Sequence, residues 1–133
     1  MLAVGLKGEK TLVVSTEHLS SATGNIGAEV LSTHEVVLLM ELAAREAIKG
    51  SLPPGKITVG TRVEIRHFAA TPLGSRVRAF ARLMDIRGRR LLFHVEAHDA
   101  YEKLADGENE QLIVSLDAFL NRVKIKEMNP TGE

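Results

Sequence analysis

Residues 32–47 read STHEVVLLMELAAREA, and this is the most strongly helical segment of the 133-residue chain. Ser32 and Glu35 match the S-x-x-E capping box, so we expect Ser32 to cap the helix and Glu35 to reach back to the Ser32 amide. The helix should end near Gly50, which can adopt the left-handed C-cap conformation, because two prolines follow it. Most of the helix circumference is apolar, which predicts that other structure wraps around it.

Four segments after the helix alternate apolar and polar residues as strands do, and one segment before it is rich in β-branched residues. The segment before the helix covers residues 11–16, and those after it cover 61–68, 75–86, 90–99 and 111–116. The residues between the first strand and the helix are small and glycine-rich, so we expect a loop there.

The alternation also predicts the inward-facing side chains and the turns. Arg87-Gly88-Arg89 suits a tight hairpin, and Asp106-Gly107 suits the loop between the last two strands. The predicted inward positions are Val63, Ile65 and His67, then Val77, Ala79, Ala81 and Leu83, then Leu91, Phe93, Val95 and Ala97, and finally Leu112, Val114 and Leu116.

A sheet with one apolar face needs a cover, and the helix is the only predicted element that is large enough. We therefore expect an α+β fold, as a single domain over residues 1–133, in which an antiparallel meander curls around one central helix. Such a layer leaves sheet edges and helix ends poorly protected, which favours a homodimer.

The composition narrows the classes of function. Lys plus Arg and Asp plus Glu number 17 each, so the net charge gives no overall attraction to nucleic acid or to an anionic membrane. The absence of cysteine excludes disulfides, thiolate nucleophiles and cysteine-based zinc sites. His94 and His98 lie four apart on the outward face of a strand, which does not make a compact metal pair, so we expect no metal. The N-terminal residues lack a signal-peptide pattern and no apolar run approaches the ~20 residues of a membrane span, so we expect a cytoplasmic protein.

Three residues could carry chemistry, and each also has a structural interpretation. Glu41 interrupts an apolar run, and it could either form an i,i+4 ion pair with Arg45 or serve a site as a buried carboxylate. Thr33 could bond the local backbone, or it could work with the free amides of the helix N-terminus to hold negative charge. His67, at the end of its strand, could be a core histidine bonded to a carbonyl or a general base.

Three segments of the chain resemble the hotdog-fold acyl-CoA thioesterases, and in particular their fluoroacetyl-CoA thioesterase-like branch. These segments are STHEVVLLMELAA, GTRVEIRHFAATPLGSRV and GRRLLFHVEAHD, and the resemblance extends from about residue 11 to about residue 120. Its most specific parts are H-x-A-A-T-P-x-G and G-R-R-L-x-x-x-V-x-A-H-D. The resemblance implies a hotdog homodimer that hydrolyses a short or medium acyl-CoA to a free acid and CoA, with coenzyme A as part of the substrate and no other cofactor.

The resemblance also implies the site residues. The branch uses a threonine, a glutamate and a histidine at its thioester site, and these fall on Thr33, Glu41 and His67, while a glycine that lines the site falls on Gly60. His67 would act as base toward water or toward Thr33, and Glu41 as nucleophile or charge partner, with the helix N-terminus stabilising an oxyanion. Thr33 and Glu41 lie eight residues apart, or ~12 Å along a helix, so a substrate, His67 or a second protomer must bridge them.

The sequence departs from this branch in the segment before the helix, and one alternative function remains open. The fluoroacetyl-specific enzyme closes its site with phenylalanines before the helix, whereas residues 24–32 here, GNIGAEVLS, contain no aromatic residue. Specificity for a fluorinated substrate is therefore not implied. The alternative function is a non-catalytic hotdog module that binds acyl-CoA or another small ligand. The phosphates of CoA could meet loop edges or the arginines of the outer sheet face, which are Arg76, Arg78, Arg82, Arg87, Arg89 and Arg90.

Overall fold

The computed structural model describes residues 1–129 and residue 131. Its strands form one antiparallel sheet in the order β1-β3-β4-β5-β2, and the connection from β1 to α1 contains two short 3-10 turns, Thr16–His18 and Ser20–Thr23. The elements are β1 (Lys7–Val13), α1 (Thr33–Ala47), β2 (Lys56–His67), β3 (Arg76–Arg87), β4 (Arg90–His98), β5 (Lys103–Ser115) and α2 (Leu116–Met128).

Helix α1 lies across the concave face of this sheet, as the sequence predicts, and it packs mainly against β1 and β3. The closest approach is at Gly8 of β1, where a Cβ atom would overlap the backbone of Ala43 and Ala47. Small residues on both elements therefore let the strand touch the helix backbone. The apolar side of α1 is fully enclosed, and its buried residues are Val36, Leu39, Met40, Ala43, Ala44 and Ala47.

The predicted capping box at the start of α1 is wrong. Ser32 precedes the helix in an extended conformation, but its side chain makes no capping hydrogen bond. The Ser32 side chain is buried, and its amide donates to the carbonyl of His18 instead. Glu35 lies beside His34, with 3.5 Å between Oε1 and Nε2. Backbone pairing of the preceding loop, rather than a side-chain cap, therefore fixes where the helix begins.

The predicted inward faces of β3 and β4 are confirmed, because all eight side chains are buried. The hairpin between these strands is also confirmed. It turns at two residues, Gly88 and Arg89, and Gly88 has a φ of 60° that suits a primed hairpin turn.

The predicted face of β5 is wrong. Leu112 and Val114 are only half-buried, whereas the polar residues Asn109 and Gln111 are buried. Gln111 Nε2 donates to Asn109 Oδ1 over 2.8 Å, and Thr58 Oγ1 donates to Gln111 Oε1 over 2.7 Å. Because these amides bond one another and Thr58, the core face of β5 can be polar.

The predicted loop at Asp106-Gly107 is also wrong, since both residues lie within β5. The connection between β4 and β5 is instead the turn at residues 99–102, where the carboxylate of Asp99 accepts hydrogen bonds from the amides of Tyr101 and Glu102. This arrangement is an Asx turn, in which an aspartate side chain takes the place of a backbone carbonyl.

The sequence suggests that β2 belongs to the meander beside β3. In the structure, β2 instead pairs with β5 at the edge of the sheet. Its register contains a β-bulge between Gly60 and Arg62. Ile65 and His67 face the helix side, as predicted, but Val63 on that face is 43% exposed because an edge strand is poorly covered. The edge position leaves the space between β2 and α1 open to solvent.

The C-terminal helix α2 has no counterpart in the sequence-based interpretation. Ser115 caps it by accepting a hydrogen bond from the Ala118 amide, and none of its residues is buried. Leu116, Phe119, Leu120 and Val123 follow the spacing of one helix face, which is the signal that could have identified it. Within the part of the chain that the structure describes, no helix is long and apolar enough to cross a membrane.

Candidate active site

Thr33 and His67 meet at the N-terminal end of α1. Thr33 is the first residue of the helix, His67 is the last residue of β2, and 2.9 Å separates Thr33 Oγ1 from His67 Nδ1. The Thr33 hydroxyl therefore bonds the imidazole rather than the local backbone, and His67 is not held by a backbone carbonyl through this nitrogen. A hydroxyl paired with an imidazole is the arrangement in which a base can activate an oxygen nucleophile.

The second ring nitrogen of His67 and the start of the helix complete this end of the site. His67 Nε2 is buried and makes no hydrogen bond to the described residues. The first amides of an α-helix have no partner within the helix, and the Ser32 side chain does not cap them. These amides lie beside the Thr33 hydroxyl, where they favour negative charge.

Glu41 lies two turns further along α1, and its two carboxylate oxygens contact different groups. Oε2 is 3.3 Å from Arg45 Nη2, so the predicted i,i+4 ion pair forms. Oε1 lies against Gly60 of β2, where a Cβ atom would come within 2.6 Å of it. The absence of a side chain at Gly60 thus makes room for the carboxylate. The Glu41 side chain is 22% exposed, which leaves it accessible from solvent.

The predicted site residues thus form two pairs rather than one cluster within a single chain. Thr33 pairs with His67, Glu41 pairs with Gly60, and Thr33 and Glu41 are separated by ~12 Å along the helix. Both lie on one stripe of α1, because residues four apart share a helix face. The stripe meets β2 at these two contacts, so α1 and β2 bound a seam with one pair towards each end.

Sequence reasoning gave no role to two residues of the matched motifs that support this site, Thr71 and Asp99. The buried hydroxyl of Thr71 donates to Asp99 Oδ2 over 2.8 Å, which joins the loop after β2 to the turn after β4. The Thr71 carbonyl also accepts the amide of Leu31, two residues before Thr33. Thr71 therefore connects the segment that follows His67 to the segment that precedes Thr33.

The pKa of Asp99 is lower than usual as a result of these contacts. Burial alone would raise this pKa, but the hydrogen bonds from the Thr71 hydroxyl and from the Tyr101 and Glu102 amides together outweigh it. The carboxylate therefore stays ionised well into the acid range, which keeps the connection between the two loops intact at neutral pH.

The remaining histidines of the sheet contact one carboxylate on its outer face. His94 and His98 both approach Glu96, at 3.3 Å and 3.2 Å, and Lys103 lies 3.2 Å from the same carboxylate. Burial alone would raise the pKa of Glu96, but the hydrogen bonds from Lys103 and the histidines outweigh burial, so this pKa is lower than usual. Across the described residues, no group of three or more His, Cys, Asp or Glu side chains is placed to hold a metal ion.

Comparisons with known proteins identify the family to which this chain belongs. The family model described as fluoroacetyl-CoA-specific thioesterase matches residues 14–117. The fluoroacetyl-CoA thioesterase of Streptantibioticus cattleyicolor is 36% identical over 104 residues, which cover 78% of this chain and 73% of that protein. The chain belongs to the fluoroacetyl-CoA-specific thioesterase family. This membership confirms the predicted family and the predicted class of enzyme, a thioester hydrolase.

Solved structures of this thioesterase family share the fold over almost the whole chain. A crystal structure of a point mutant of the fluoroacetyl-CoA-specific thioesterase has a TM-score of 0.88 and 31% identity, covering 95% of this chain and 98% of that one. A second mutant, in complex with acetyl-CoA, has a TM-score of 0.86 and 31% identity, covering 94% and 98% of the two chains. The predicted hotdog fold, a curled antiparallel sheet around a long helix, is thereby confirmed.

Proposed function

We propose that the protein hydrolyses a short or medium acyl-CoA thioester to the free acid and CoA, at a site formed by Thr33, His67, Glu41 and Gly60. The observation that carries this proposal is the 2.9 Å contact between Thr33 Oγ1 and His67 Nδ1 at the uncapped N-terminus of α1. The contact brings together an oxygen nucleophile, a base and donors for an oxyanion, which are the groups that acyl transfer requires.

The chemical step follows from these groups. His67 accepts a proton from the oxygen nucleophile, which is the Thr33 hydroxyl or a water in its place, and that oxygen bonds the carbonyl carbon of the thioester. The carbonyl oxygen becomes negatively charged and is stabilised by the free amides of α1. As the carbonyl re-forms, the carbon–sulfur bond breaks and His67 returns the proton to the leaving thiolate. If Thr33 attacks, water then hydrolyses the acyl-threonine ester by the same sequence.

We further propose that Glu41 acts at this centre from the second protomer of a homodimer. Within one chain Glu41 lies ~12 Å along the helix from Thr33, too far to contact the same carbonyl. Large apolar side chains are exposed on α1, on β2 and directly after β2: Leu38 is 47% exposed, Val63 43% and Phe68 56%. Such exposure beside a site is typical of a surface that a partner covers. A carboxylate from the partner could then orient the attacking water.

Two features support a small acyl group without selecting fluoroacetate. The segment before α1, which carries phenylalanines in the fluoroacetyl-specific enzyme, contains none here, and its Ile26 is 88% exposed. A family member also binds acetyl-CoA in its solved complex. A cytoplasmic location, a single domain over residues 1–133 and the lack of a further cofactor stay predictions. No observation favours the non-catalytic alternative.

The test is thiol release from a panel of acyl-CoA thioesters that runs from acetyl to octanoyl and includes fluoroacetyl. We expect turnover of at least one short or medium substrate, and we expect His67→Ala to lower kcat by roughly 10²–10⁴, as loss of a general base does. The matched control is His94→Ala, on the outer sheet face, which should retain the wild-type rate. Tight CoA binding without turnover of any thioester would instead establish the binding-module alternative.

A further inference from the structure

An open cleft continues the seam between α1 and β2 at the end opposite to Thr33. It lies between the C-terminal end of α1 and the beginning of β2, with a volume of about 590 Å³. The half-buried side chains of Leu52 and Ile57 contribute apolar surface, and three exposed cationic residues border it, Arg45, Lys49 and Lys56.

The cleft lies beyond the contact between Glu41 and Gly60, and its nearest lining residues are Arg45 and Thr58. Arg45 follows Glu41 by about one turn on α1, and Lys49 lies two residues beyond the end of the helix, in the turn that follows it. On β2, Lys56 precedes Gly60 by four residues and lies on the same strand face. Arg45 is ~6 Å along the helix axis beyond Glu41, and Lys49 lies further on, past the end of the helix. A ligand anchored by the lysines could therefore extend a long arm to the carboxylate.

The charges of the cleft are only partly compensated. Its single acid, Glu46, lies 3.7 Å from Lys10 and 4.0 Å from Lys49, so this carboxylate is already shared between two cations. Lys56 makes no ion pair with any residue that the structure describes. The carbonyls at the C-terminus of α1 carry partial negative charge and oppose an anion. The lysine side chains, rather than the backbone, would have to hold one.

The arginines of the outer sheet face are less suited to binding an anion, because several are already paired with acids. Arg78 lies 2.6 Å from Glu9, and Arg87 lies 2.7 Å from Asp85. Glu108 and Glu64 likewise contact Arg62 and raise its pKa, with Glu108 contributing most. A phosphate there would compete with a carboxylate at each of these sites.

We propose that the cleft at Lys49 and Lys56 binds the nucleotide phosphates of coenzyme A, with the pantetheine arm lying along the seam towards Glu41. This proposal rests on the proposed function and names the subsite for the part of the substrate that does not react. The cationic rim and the apolar floor of the cleft match a ligand in which phosphates adjoin an adenine ring. Binding energy from this remote part of the substrate would appear mainly in KM.

The test compares an acyl-CoA with the same acyl thioester of pantetheine, which lacks the nucleotide. We expect the double variant Lys49→Glu/Lys56→Glu to raise KM for the acyl-CoA roughly tenfold, because two attractions become repulsions. The kcat of the variant for the acyl-CoA should change by less than about twofold. Its kcat and KM for the pantetheine thioester should likewise change by less than about twofold. The wild-type KM for the acyl-CoA should also rise with ionic strength, more steeply than that of the variant.

Arg82→Glu provides a control with the same change of sign on the outer sheet face. A rise of KM in Arg82→Glu, with no change in the lysine variant, would overturn the proposal in favour of that face. Equal KM values for acyl-CoA and pantetheine thioester in the wild type would overturn it as well. If the wild type hydrolyses no thioester, calorimetric titration with CoA and with pantetheine decides separately: the proposal requires that CoA bind more tightly and that the lysine variant lose this difference.

Discussion

Gly60 leaves space for the carboxylate of Glu41, since a Cβ atom at Gly60 would stand 2.6 Å from Glu41 Oε1. Gly60→Ala should therefore displace the carboxylate and lower kcat by about tenfold or more, as small misplacements of a catalytic group do. The melting temperature should hardly fall, because the displaced atom ends a flexible side chain. Combining Gly60→Ala with the shorter Glu41→Asp tests whether space alone is responsible. Unchanged kcat in Gly60→Ala would show that the position of this carboxylate does not matter.

Turnover should depend on the hydroxyl group of Thr33 and not on the volume of its side chain. Thr33→Ser keeps the oxygen that bonds His67 Nδ1, so we expect kcat within about tenfold of wild type. Thr33→Val keeps the volume but removes the hydroxyl, and we expect a loss of roughly 10²–10⁴. Steady-state thiol release measures both rates, and circular dichroism checks the fold. Equal rates for the two variants would refute a role for the oxygen.

Mixed dimers can decide whether Glu41 and Thr33 act across an interface. We expect Thr33→Val and Glu41→Gln homodimers to be nearly inactive. After the two are unfolded and refolded together in equal amounts, half of the dimers should be mixed, and each would contain one site with both native residues. The mixture should then regain about a quarter of the wild-type rate, as two-fold symmetry requires. No recovery, with mixed dimers verified by mass spectrometry, would place both residues in one protomer.

The hydrogen bond between Thr71 and Asp99 should contribute stability that depends on pH. Because the folded pKa of Asp99 is lowered, its contribution is complete above the unfolded pKa of about 4 and is lost as the pH falls through the lower folded value. Thr71→Val should cost about 1–3 kcal/mol in the free energy of unfolding at pH 7, since a buried hydroxyl that bonds a carboxylate is removed.

Urea unfolding of the wild type and of Thr71→Val at pH 7 and at pH 3 measures this dependence. The difference between the two proteins should be smaller at pH 3, because this pH lies below the unfolded pKa of about 4 and part of the contribution of Asp99 is lost there. Thr11→Val, at an exposed position of β1, is the control and should change stability little at either pH. A difference that stays constant with pH would show that the hydroxyl acts through packing alone.

The sequence predicts those parts of the fold whose apolar periodicity is regular. The alternation in β3 and β4 places every inward side chain correctly, because both strands are central and their buried positions are all apolar. The same rule fails in β5, where Asn109 and Gln111 occupy the core face and bond each other. Periodicity measures hydrophobicity, so it assigns the wrong face wherever buried polar groups satisfy one another.

The sequence predicts candidate site residues but not the contact between two of them. Thr33, Glu41 and His67 stand out by residue type and by resemblance, yet the contact between Thr33 and His67 joins residues 34 positions apart. That contact depends on β2 pairing with β5 at the sheet edge, whereas local pattern places β2 beside β3. Thr71 and Asp99 were overlooked for the same reason, because their bond connects two loops that only the strand order brings together.

The bulge in β2 decides which face of the strand carries Gly60 and His67. Gly60 and His67 are seven residues apart, and in an unbroken strand an odd separation puts two residues on opposite faces. Thr61 is the extra residue, since Gly60 pairs with Gln111 and Arg62 with Glu110. This one insertion turns both Gly60 and His67 towards α1. Deleting Thr61 would thus keep every candidate site residue in the sequence, but it would turn either Gly60 or His67 away from α1.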